Sequence, residues 1–107
     1  MRFSSRKEAA RYDELMLLLR AGKIRSLKLQ PQYTLQESYI TTEGERVQAI
    51  RYIADYSYQR PTEPEVNGDV YWVDVVEDVK SPGTKTPQYE IKKKLMRERF
   101  GIRITEV

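Results

Sequence analysis

From Val70 to Val107 the sequence reads strand, break, capped helix, strand, and that order admits few topologies. Residues 70–80, VYWVDVVEDVK, form the most β-prone run of the chain, dense in β-branched and aromatic side chains. Ser81-Pro82-Gly83-Thr84-Lys85 breaks it. Thr86 then stands as an N-cap with Pro87 at the first helical position, and Gly101 supplies the stop. Ile91, Leu95, Met96 and Phe100 are expected to form the apolar side of this helix, and residues 102–107 alternate as a closing strand. A helix joining two such strands predicts a β-α-β unit, with parallel strands in one sheet and a right-handed crossover.

Upstream, Ser5 and Glu8 make an S-x-x-E capping box, and Ala9, Tyr12, Leu15, Met16 and Leu19 recur at helical steps. The spacing predicts a helix over about 5–21, closed by Gly22. Short extended pieces follow at 24–29 and 33–35, interrupted at Pro31, with a turn at 41–45. Residues 46–59 read as one strand with Tyr52, Ala54, Tyr56 and Tyr58 on one face, and 61–68 as the loop of a long hairpin. The expected class is α/β (α+β): an N-terminal helix, a mixed β-sheet, then a helix and a final strand, in one domain spanning 1–107.

The chain has no cysteine and no histidine. That excludes thiol nucleophiles, Cys- or His-ligated metal sites and imidazole bases. Chemistry is left to carboxylates, Lys, Arg, Ser, Thr and Tyr, and any metal would sit among oxygens. No apolar run approaches the roughly 20 residues that span a bilayer, so no membrane partner and a cytoplasmic location are expected. The net charge of +3 conceals segregation. Residues 1–28 carry eight basic and three acidic side chains, 29–84 four and ten, and 85–107 seven and three. An acidic middle between basic ends suits an enzyme that cuts a polyanion, with carboxylates for cations and Lys/Arg for phosphates; clustering of surface charge also accounts for it.

Period-two geometry puts Asp78 and Lys80 on one face near the end of the 70–80 strand, and Glu77 on the other. Asp55 interrupts the apolar and aromatic run Tyr52–Tyr56, where a carboxylate is costly unless paired or bound to a cation. If the two strands are neighbours, Asp55 and Asp78 converge on one hard cation, Mg²⁺ or Mn²⁺, with waters and phosphate oxygens completing it. Lys80 would orient water or offset charge on the reacting phosphate.

This arrangement resembles the PD-(D/E)XK superfamily of metal-dependent nucleases, whose motif is an Asp on one strand and (Asp/Glu)-x-Lys on the next. Here the counterparts are Asp55 and Asp78-Val79-Lys80. The chain is further similar to a small phage- and prophage-encoded family within that superfamily. The shared order is Phe3-Ser4-Ser5-Arg6-Lys7-Glu8, Leu27-Lys28-Leu29-Gln30-Pro31, Ile53-Ala54-Asp55 and Val76-Glu77-Asp78-Val79-Lys80. Ala54 replaces the motif's proline, and Asp78 stands where Glu is usual. The resemblance implies a restriction-endonuclease-like core and a DNA endonuclease acting in the host cytoplasm. It implies Asp55, Asp78, Lys80 and Glu8 as catalytic residues. Asp55, Asp78, Glu8 and the Val79 carbonyl would be metal ligands, and Gln30 would line the site.

Each residue also has a plainer account. Asp78 and Lys80 make an ion pair at a strand end, Asp55 is an edge-strand solubility device, and Glu8 completes a capping box. The run Lys92-Lys93-Lys94 with Arg97 and Arg99 is either a solvated helix face or a phosphate-contacting one, with Lys92, Lys93 and Arg97 as the nucleic-acid contacts. DNA, duplex or branched, is the expected partner, and a homodimer would serve to cut both strands. The competing reading is a non-catalytic nucleic-acid-binding or assembly module.

Overall fold

The computed structural model describes residues 5–64, 66–80 and 85–107. Phe3 and Ser4 of the first motif, and the break at Ser81–Thr84, lie outside the described residues. Helix α1 runs Arg6–Arg20, with Ser5 Oγ accepting the Glu8 N–H as an N-cap and Gly22 at φ 72° beyond its end. The strands are β1 (Arg25–Leu29), β2 (Gln32–Gln36), β3 (Tyr39–Ile40), β4 (Arg46–Val47), β5 (Ile50–Ile53), β6 (Tyr56–Pro61), β7 (Trp72–Asp78) and β8 (Thr105–Glu106). Helix α2 spans Pro87–Phe100 between β7 and β8, capped by Thr86 and closed by Gly101 in the left-handed conformation.

Four strands form the main sheet in the order β1-β6-β7-β8. β1, β6 and β7 pair antiparallel, and β7 pairs with β8 parallel. The β7-α2-β8 unit therefore forms as its punctuation predicts, and the fold is mixed α and β. The closing strand is shorter than expected, two residues rather than six.

Residues 46–59 do not form one strand. The chain breaks at Ala54-Asp55 between β5 and β6, and a matching break falls at Gln30-Pro31 between β1 and β2. The two kinks lie side by side. Gln30 N–H donates to the Asp55 carbonyl at 2.9 Å, and Ala54 N–H donates to the Pro31 carbonyl at 3.1 Å. β1 with β6, and β2 with β5, are thus two segments of one ribbon bent at a shared point. The bend explains why Tyr52, Ala54, Tyr56 and Tyr58, alternate in sequence and all buried, divide between two cores. Tyr52 and Ala54 pack with Leu35, Val76, Tyr89, Met96 and Ile104 on the α2 side. Tyr56 and Tyr58 pack with Leu15 and Ile24 on the α1 side.

Helix α2 buries Tyr89 and Met96, seven residues apart, while Ile91 and Phe100 are exposed. Of the apolar side expected from Ile91, Leu95, Met96 and Phe100, Met96 is buried and Leu95 packs against the core, while Ile91 and Phe100 lie off the buried face. β3 and β4 form a hairpin carrying exposed Tyr39 and Ile40. The radius of gyration, 16.8 Å, exceeds the roughly 13 Å of a compact chain this long.

Candidate active site

The shared kink and the end of β7 meet at an open cleft of about 650 Å³. Glu8, Asp55, Asp78, Val79, Lys80 and Lys92 line it, together with Ser5, Arg51, Tyr52 and Tyr89. Residues scattered from the first helix to the second thus share one concavity.

Asp55 is placed by main chain. Lying in the break before β6, it is next to the Tyr56–Glu77 pair of the ladder. Its N–H is shared between the Glu77 carbonyl at 3.1 Å and Asp78 Oδ1 at 3.0 Å. Its Oδ2 accepts the Val79 N–H at 2.7 Å. Val79 therefore enters the site through its amide. Among the described residues nothing donates to Asp55 Oδ1.

Asp78 is buried, and its Oδ2 accepts the Tyr52 hydroxyl. Lys80 Nζ lies 3.9 Å from that oxygen. Burial pushes the Asp78 carboxyl above the ordinary range, with Glu106 adding to the effect, while the Tyr52 hydroxyl, Lys80 and the Asp55 N–H oppose it. Burial also raises Asp55, assisted by the charges of Asp78 and Glu8 and opposed by the Val79 N–H and Lys80. The Tyr52 phenol is raised by its own burial and by its bond to Asp78, so it stays a donor.

Glu8 is buried on the first turn of α1. Its carbonyl accepts the Tyr56 hydroxyl at 2.8 Å, which ties the helix start to β6. Glu77, on the opposite face as its parity predicts, is accounted for by structure alone: Arg11 grips it with Nε and Nη2 at 2.8 and 2.6 Å, and the Tyr58 hydroxyl donates to it.

Three residues read as nucleic-acid contacts are not among those lining the cleft. Gln30 is exposed, and its backbone N–H donates to the Asp55 carbonyl. Lys93 pairs with Glu106 at 3.5 Å and Glu90 at 3.7 Å. Arg97 is exposed further along α2. Sequence reading also passed over Tyr52, Tyr89, Arg51 and Glu106. Two signals were present: Tyr89 lies one helical turn before Lys92, and Glu106 falls opposite Asp78 once β7 and β8 run parallel.

The donor set fits a hard divalent cation. Among the described residues no three acidic side chains are gathered so as to hold a metal by themselves. Two carboxylates raised by burial, one with an oxygen to which no described residue donates, match the one or two carboxylates plus waters and phosphate oxygens that Mg²⁺ commonly takes. A cation there would relieve the desolvation and repulsion that raise both groups.

No curated protein and no solved structure matches the chain. A family model described as "Protein of unknown function (DUF1064)" matches residues 1–106, and the chain belongs to that family.

Proposed function

We propose that the protein is a divalent-metal-dependent DNA endonuclease with a PD-(D/E)XK-type site on a restriction-endonuclease-like core, serving phage or prophage DNA replication, recombination or processing in the host cytoplasm. The observation that carries this reading is the Asp55–Asp78–Lys80 cluster: two aspartates joined by the Asp55 backbone N–H donating to Asp78 Oδ1 at 3.0 Å, and an ammonium 3.9 Å from Asp78 Oδ2. Asp55 and Asp78 would hold Mg²⁺ or Mn²⁺, with Glu8 and the Val79 carbonyl as the further ligands the resemblance implies. When bound, the cation supplies Lewis-acid polarisation of the phosphodiester and a lowered pKa for water. Lys80 orients the attacking water or neutralises charge growing on the phosphate oxygens. Lys92, on the cleft wall, meets the adjoining backbone phosphate. With one such site among the described residues, cutting both strands calls for a two-fold dimer.

The test is incubation of supercoiled plasmid and branched DNA with Mg²⁺ or Mn²⁺, against an EDTA control. Asp55→Ala, Asp78→Ala and Lys80→Ala should each abolish cutting while the circular dichroism spectrum is kept. Wild-type rates in all three variants would overturn the site. Salt-dependent DNA binding without cleavage under any divalent cation would favour a non-catalytic binding module instead.

A further inference from the structure

The Lys80 ammonium has a second neighbour besides Asp78. Its Nζ sits 4.0 Å from the centroid of the Tyr89 ring, on α2, while remaining 3.9 Å from Asp78 Oδ2. The ammonium is therefore held between an aromatic face and a carboxylate. The ring is itself fixed. Tyr89 is 7% exposed, packed in the core that includes Val76, Met96 and Ile104, and its hydroxyl donates to Glu106 Oε2 at 2.9 Å. Glu106 stands on β8 opposite Asp78, and its Oε1 lies 3.4 Å from Lys85 Nζ and 3.5 Å from Lys93 Nζ.

A lysine has four rotatable bonds and strong rotamer entropy, so an unsupported ammonium spends little time in one place. A fixed ring face restricts it, because the ring quadrupole attracts the cation and water is partly excluded. We infer that Tyr89 is a positioning residue: its ring face holds the Lys80 ammonium beside Asp78, and Glu106 anchors its hydroxyl. This rests on the nuclease reading, in which Lys80 acts on the phosphate or its water.

Two measurements test it. In protein labelled with ¹³C-lysine, the Lys80 Cε protons, assigned by Lys80→Arg, should be shifted upfield by the ring. That shift should survive in Tyr89→Phe and vanish in Tyr89→Leu. In plasmid cleavage at saturating Mg²⁺, Tyr89→Leu should lower kcat about tenfold with KM for DNA within about twofold. Tyr89→Phe should restore kcat to within about threefold of wild type, with thermal melts confirming that each variant is folded. Absence of the shift in the wild-type protein overturns the inference even if Tyr89→Leu does not fold. A wild-type kcat in folded Tyr89→Leu overturns it while leaving the nuclease reading intact. A wild-type protein that cuts no DNA overturns the nuclease reading, and with it this role.

Discussion

Arg11 offers the sharpest test of how α1 is held over the sheet. Its guanidinium makes two parallel bonds to Glu77, whose side chain is 1% exposed, while its own is 22% exposed. Truncating Arg11 to Ala leaves a buried carboxylate with only the Tyr58 hydroxyl as a side-chain donor among the described residues. Removing one partner of a fully buried pair costs about 3–5 kcal/mol. Water reaching the exposed fifth of Arg11 favours the lower end, about 3 kcal/mol. A chain of this length has about 5–15 kcal/mol of stability in all. Its unfolding entropy, about 2.1 cal/mol/K per residue, converts that loss to a fall in Tm of about 13 °C. The source of the loss is the stranded charge, so replacing the whole polar set should recover most of it. Arg11→Met, Glu77→Leu and Tyr58→Phe combined should lie within about 1 kcal/mol of wild type, because a packed apolar set matches a buried ion pair. Urea and thermal unfolding followed by circular dichroism measure both. A loss below about 1 kcal/mol in Arg11→Ala, or a triple variant as unstable as the single one, would refute the reasoning.

Three further outcomes are expected. Asp55 and Asp78 have folded-state pKa values raised mainly by burial, so their ionisation opposes folding above those values and ceases to do so once pH falls below the ordinary carboxylate range. In EDTA, Asp55→Asn should therefore gain stability relative to wild type between pH 4 and pH 7, and a gap that does not change with pH contradicts this. Tyr52→Phe removes a hydroxyl bound to a buried carboxylate and should cost about 1.5–3 kcal/mol in metal-free unfolding; an unchanged urea midpoint argues that the bond contributes nothing. Gly101→Ala meets no atom within 4 Å but must adopt φ 67°, so a loss of about 1 kcal/mol from backbone strain alone is expected in thermal melts.

Local chemistry made much of the fold readable. Ser5, Thr86, Pro87 and Gly101 punctuate both helices where their side chains and φ values predict, and β-branched density marks β7. The approach of Asp55 to Asp78 was expected on the condition that their strands are neighbours, and β6 and β7 do pair. The kink at Ala54-Asp55 was not expected, because no glycine or proline marks it there; its cause is a tertiary pairing with Gln30-Pro31, which a linear pattern does not encode. The same limit hid Tyr89 and Glu106. Their roles depend on α2 linking β7 to β8, and neither a single helical position nor a place in an alternating strand marks them as part of the site. Gln30, Lys93 and Arg97 were assigned by resemblance or by charge, and neither tells which way a side chain on a helix or turn points.

Asp55 is aimed by peptide groups of residues 30, 77 and 79 and steadied through its neighbour by residue 31, not by any side chain of those four. Amides and carbonyls are nearly universal parts, so those positions can exchange their side chains without redirecting the carboxylate. Residue 30, at φ 52°, is restricted by its backbone, and glycine or asparagine is the natural substitute there. A chain assembled this way can diverge widely in its letters while the geometry at its centre persists.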